Sequence, residues 1–208
     1  MTFTLYETIQ KIVRQEIAKV RTAELAIVEE QHPHADASDK DNYACTVRLR
    51  DSGIVLKQVP VATSRIGTAS IPEVGNLVLV QFVGGDIQSP IITGRLYNDE
   101  DRPPPNDDGQ AILHLPLDAA DSDAVHMELH SGDRRELVMK LGDGVTLNIR
   151  DDDPVVELSV DSGKATITVA RDGAVTLESN GKVQIKGNEI AIEAQGQLNL
   201  KGATVNIN

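Results

Sequence analysis

Val145-Thr-Leu-Asn-Ile149, Val155-Val-Glu-Leu-Ser-Val160, Ala165-Thr-Ile-Thr-Val169 and Ala174-Val-Thr-Leu-Glu178 alternate apolar and polar residues. The pattern continues in Lys182-Val-Gln-Ile-Lys186, Ile190-Ala-Ile-Glu193, Gln197-Leu-Asn-Leu200 and Thr204-Val-Asn-Ile-Asn208. Period-two alternation over about five residues is the signature of a half-buried β-strand. Glycines fall between most of these pieces: Gly163, Gly173, Gly181, Gly187, Gly196 and Gly202. The repeat is too short to hold a helix, so each unit is one strand and one turn. Such a unit cannot bury its apolar side alone and must stack on others. The expected core set is Val175, Leu177, Val183, Ile185, Ile190, Ile192, Leu198 and Leu200, all aliphatic. An ordinary β-sandwich is the alternative, but strands this short and regular leave little room for its long connections.

Upstream, Ala23–Tyr97 predicts a small barrel. Leu25–Glu29 alternates, and a polar loop follows from His32 to Asn42. Tyr43–Arg50 sets Tyr43, Cys45, Val47 and Leu49 on one side. Asp51-Ser-Gly53 turns the chain into Ile54–Val61. The tight turn Pro72-Glu-Val-Gly75 precedes Asn76–Val83, and Gly84-Gly85-Asp86 leads into Ile87–Tyr97. Five strands with glycine-bearing turns suggest the Greek-key barrel called the OB-fold. Asn98–Asp108, with three consecutive prolines and several acids, is a stiff solvated linker. Ala111–Leu115, Val125–Leu129 and Glu136–Leu141 alternate again, with longer charged connections.

The first residues, Thr2–Thr22, predict an amphipathic helix. Thr4 and Glu7 have capping-box spacing. Leu5, Ile9, Ile12, Ile17 and Val20 fall on or near one stripe, which packs either on its own domain or on a neighbouring subunit. The organisation is therefore residues 1–22 helix, 23–97 barrel, 98–110 linker, 111–144 neck strands and 145–208 ladder.

Of the 208 residues, 20 are basic and 32 acidic, a net charge of −12. Phosphate would be repelled, so the chain is a poor partner for nucleic acid or an anionic membrane, and no nucleic-acid partner is expected. The single cysteine, Cys45, excludes an intrachain disulfide and reads as a packed apolar residue. No long apolar run predicts a membrane span, and the layout of a signal peptide is missing, so assembly in the cytoplasm is expected. Five aromatic residues make the cores depend on aliphatics and on partner chains.

The order of parts resembles a known family. A helix, a barrel with Pro72-Glu-Val-Gly75 before an aliphatic strand, a closing Ile92-Thr-Gly-Arg-Leu-Tyr-Asn98 followed by prolines, and a glycine-punctuated ladder look like the central spike of contractile injection machines. That family comprises the baseplate assembly protein V of tailed phages and its relative VgrG of type VI secretion. The resemblance implies an all-β chain with a short N-terminal helix, its OB-fold barrel followed by an intertwined, trimeric, triple-stranded β-helix. It implies a homotrimer whose barrel domain contacts a ring-shaped hub, and the N-terminal helix is expected to join the barrel at that docking end through Leu5, Ile9 and Ile12. It also implies transient contact with the target cell envelope as the sheath contracts, in a phage tail, a bacteriocin-like particle or an extracellular injection system. Two features depart from relatives. The chain has no room for a fused hub or an inserted lysozyme, and no histidine follows His130 to hold a tip ion. A separate conical PAAR-type protein is expected to cap the tip at Val205, Ile207 and Asn208.

No catalytic, cofactor or metal residues are assigned. His32-Pro-His34 with Asp36 and Asp39 reads as a solvated loop, and Asp151-Asp-Asp-Pro154 as a charged turn lacking later calcium ligands. His114, His126 and His130 read as exposed strand residues. Gly84-Gly85-Asp86 lacks the lysine and helix of a phosphate loop. Two other functions compete. An OB module binding oligosaccharide or nucleic acid needs exposed aromatics, and only Tyr43 lies near Arg48, Arg50 and Lys57. A β-helical carbohydrate enzyme needs longer coils and bulkier loops.

Overall fold

A computed structural model describes residues 4–17 and 21–206. The chain divides between Pro103 and Pro104, inside the proline-rich linker, into two units.

In the first unit, α1 spans Leu5–Ile17. Its start is fixed by the capping box. The Thr4 amide donates to Glu7 Oε2 at 2.9 Å, and the Glu7 amide donates to Thr4 Oγ1 at 3.4 Å. Of the expected helix Thr2–Thr22, residues 2–3 and 18–20, Val20 among them, lie outside the described residues.

Five strands follow: β1 (Ala23–His32), β2 (Ala44–Leu49), β3 (Val55–Pro60), β4 (Leu77–Phe82) and β5 (Pro90–Leu96). Their order in the sheet is β3-β2-β1-β4-β5, all neighbours antiparallel. A parallel bridge between Val61 and Ile92 joins the two edges and closes the barrel. This is the five-stranded OB arrangement. Strand β1 is longer than its alternation suggests, because it pairs on both sides, with β2 and β4. The interior is Ala26, Val28, Cys45, Val47, Leu49, Val59, Val78, Val80, Phe82 and Ile92. Each fully buried aliphatic of Val or Leu size contributes about 1.5–3 kcal/mol, which lets a core with one aromatic ring hold. Cys45 is buried among them, as its place in the strand implies. The Pro72–Gly75 turn docks on this core. The Gly75 amide donates to Val28 O at 2.9 Å, and Gly75 needs its φ of +94° to make the corner.

In the second unit, seven strands form one antiparallel meander in sequence order. They are β6 (Gln110–Leu115), β7 (Val125–Ser131), β8 (Arg135–Leu141), β9 (Val145–Arg150), β10 (Val156–Val160), β11 (Ala165–Val169) and β12 (Val175–Ser179). Neck and ladder are thus one sheet, without a break at residue 144. The four strands expected from Lys182 onward are not formed among the described residues; Lys182–Asn206 carries no strand and is exposed throughout. The physical reason is that a strand exists by virtue of its pairing partner, and the described residues offer none there.

Candidate functional site

The register of the second sheet decides what its two faces carry. Ala111, Leu113 and Leu115 on β6 stand opposite Leu129, Met127 and Val125 on β7, which oppose Leu137, Met139 and Leu141 on β8. The row continues through Ile149, Leu147 and Val145 to Val156, Leu158 and Val160, and then to Val169 and Ile167. It ends at Val175 and Leu177 on β12. One entire face is aliphatic, and among the described residues of this unit nothing covers it. Leu115, Leu141, Val175 and Leu177 are each half or more exposed. The residues expected to form a shared core beyond the sheet, Val183, Ile185, Ile190, Ile192, Leu198 and Leu200, are exposed in the same way. Apolar surface this continuous is rare on a monomer and marks an interaction face. Leu158, Ile167, Leu177 and Val183 line an open groove on it.

Helix α1 presents a second uncovered apolar surface. Leu5, Ile9 and Ile12 are 78%, 52% and 53% exposed, and no residue of the helix is buried. Of the expected tip contacts, Val205 is exposed, while Ile207 and Asn208 lie outside the described residues.

The opposite face of the β6–β7 hairpin is polar and differs from expectation. His126 is buried, not exposed, and His114 and His130 are half-buried. The register sets Gln110 against His130 and His114 against His126. His126 Nε2 and His130 Nε2 lie 2.6 and 2.9 Å from the two oxygens of Glu128. Hydrogen bonds from His126 first, then His130, hold the Glu128 carboxyl below the ordinary glutamate range. His114 Nδ1 meets His126 Nδ1 at 3.0 Å. Sequence spacing alone hides this group, because cross-strand register brings it together.

The loop after β1 is not uniformly solvated either. His32 closes β1, and its Nε2 lies 2.9 Å from Thr46 Oγ1, which belongs to the buried Thr46. The exposed part is organised by Asp39, whose oxygens accept from the amides of Ala35 and Asp36 at 2.6 and 2.9 Å and pair with His34 Nδ1 at 2.8 Å. On the barrel, Arg48 is bound to Glu29 at 2.7 Å and to the Gly53 carbonyl at 3.1 Å. That engagement removes one of the basic groups an oligonucleotide site would need.

Comparison with known proteins points the same way as the barrel. Residues 47–97 match the family described as the type VI secretion system/phage-baseplate injector OB domain. The type VI secretion system spike protein VgrG1a of Pseudomonas aeruginosa is 36% identical over 75 residues, 35% of this chain and 10% of that protein. VgrG1b of the same organism matches at 36% over 75 residues, covering 9% of its length. The actin cross-linking toxin VgrG1 of Vibrio cholerae is 46% identical over 43 residues, 21% of this chain and 4% of that protein. The matched stretch thus spans about a tenth or less of these relatives.

Proposed function

We propose that this chain, which is similar to the VgrG-like spikes of phage-baseplate and type VI injectors in its OB domain, is one subunit of a trimeric central spike. One observation carries the reading: an injector-type barrel is followed by a seven-stranded sheet with a continuous, uncovered aliphatic face. A single sheet bare on both sides is not a stable layer. Three copies packed face to face enclose one dry core, and the region 182–206 gains its missing strand partners from neighbouring chains. Such pairing also removes the open edges that invite aggregation. In this reading the later part winds into a triple-stranded β-helix. Each chain contributes Val175, Leu177, Val183, Ile185, Ile190, Ile192, Leu198 and Leu200 to the axis. The spike is structural, and no catalytic group is assigned to it.

Helix α1 then docks on the hub through Leu5, Ile9 and Ile12, and the far end carries a cap of the PAAR type. Sheath contraction drives the assembly, completed in the cytoplasm, through the target envelope. Two deletions test the division of labour. Removing residues 1–22 weakens copurification with the hub by roughly tenfold or more while the trimer persists; undiminished hub capture would refute the helix's role. Trimming Gly202–Asn208 abolishes cap binding and leaves the trimer intact, because the terminal backbone groups and Val205 are what a cap pairs with. A trimmed spike that still holds its cap, or that falls into monomers, argues against this end being the tip.

A further inference from the structure

The polar face of the β6–β7 hairpin holds two histidine rings that meet nitrogen to nitrogen, Nδ1 to Nδ1, at 3.0 Å. Their planes cross at 72°. The far nitrogen of each ring is already engaged. His114 Nε2 lies 2.9 Å from the Ala119 carbonyl oxygen, and His126 Nε2 lies 2.6 Å from Glu128 Oε1. A carbonyl and a carboxylate can only accept, so both Nε2 atoms carry the hydrogen. Two neutral rings in that tautomer aim their Nδ1 lone pairs at each other. The contact is repulsive unless a cation lies between them. Asp121, on the connection between β6 and β7, brings a carboxylate oxygen, and one ligand atom from each of His114, Asp121 and His126 lies within 4.8 Å of the other two.

We propose that His114, His126 and Asp121 bind a divalent transition-metal ion of the zinc class, with Glu128 as the carboxylate behind His126. The donor set fits. Zinc takes neutral imidazole nitrogen at about 2.0–2.1 Å and carboxylate oxygen at about 2.0–2.2 Å. Two such Zn–N bonds at a tetrahedral angle put the nitrogens about 3.3 Å apart, so the observed pair need open only by a few tenths of an ångström. Water fills the fourth position. The Glu128–His126 bond is the carboxylate–histidine arrangement that fixes the tautomer and raises the basicity of a ligating ring. His130 steadies the other Glu128 oxygen at 2.9 Å, and Gln110 Nε2 donates to His130 Nδ1 at 3.2 Å. The ion would tie the Pro116–Ala124 connection to the sheet, a structural role. All three ligands belong to one chain, so the site stands whether or not the spike reading holds.

The test uses the purified full-length protein, stripped with chelator and titrated with Zn²⁺ and Co²⁺. One Co²⁺ binds per chain with the intense visible absorption of a tetrahedral site, and Zn²⁺ raises the melting temperature. Asp121→Asn changes an exposed turn residue and should not impair folding; it weakens binding about tenfold or more. His114→Asn abolishes binding, and His34→Asn, in the barrel's own His–Asp pair, leaves it unchanged. Absence of tetrahedral Co²⁺ absorption in the wild-type protein overturns the proposal. So does a Zn²⁺-induced melting shift equal in wild type and Asp121→Asn. So does a proton shared between the two Nδ1 atoms in nitrogen NMR with Zn²⁺ present.

Discussion

Asp39 shows at the scale of one residue how a short acidic loop acquires order. Its carboxylate gathers the amides of Asp36 and Ala35 and the ring of His34. The Asp36 amide, then the His34 hydrogen bond, lower its pKa to about 2. The sign follows from the lowering: the ionised form is the one bound in the folded state. Its contribution is present above the ordinary aspartate range and disappears as pH falls through about 2. A carboxyl-carbon NMR titration should place the Asp39 midpoint near 2. Asp39→Asn should loosen residues 35–41 without disturbing the barrel core. A midpoint at the ordinary aspartate value would show that the loop is not held by this carboxylate. This detail was not readable beforehand. The sequence shows a polar loop with two histidines, whereas the bonds depend on the loop's own closure.

At the scale of elements, the strands were legible and their partners were not. Alternation places β9, β10 and β11 within a residue or two, because the period of two follows directly from one face being apolar. The capping box at Thr4 and Glu7 likewise names the helix start. The barrel's closure needed more, since the Val61–Ile92 bridge joins positions far apart in the sequence. The histidine group failed for the same reason: His114 and His126 are neighbours only through register. The ladder after Ser179 has the alternation of strands but forms no strand pair among the described residues. Leu177 gives this difference a testable edge. It is 55% exposed in the single chain, so Leu177→Asp would be nearly neutral if the chain were monomeric. Buried at a three-fold axis, it would place three carboxylates at one level, each costing several kcal/mol unpaired. The expected outcome is loss of the trimer in gel filtration, with the barrel still folded by its own core. A soluble, unchanged trimer would show that Leu177 faces outward.

For the whole molecule, two uncovered apolar surfaces lie on a chain that carries a net charge of −12. Exposed apolar surface of this kind marks interaction faces, and in the proposed spike protein partners cover both the aliphatic face of β6–β12 and the stripe of α1. The barrel is self-sufficient, with its ten-residue core. The sheet is not, and everything proposed for the spike follows from what covers that sheet. The most direct measurement is the native mass of the full-length chain at sub-micromolar concentration, by mass spectrometry or light scattering. The account predicts three times the chain mass, with no monomer until the sheet unfolds. A folded monomer at that concentration, with β6–β12 intact by amide exchange, would contradict it.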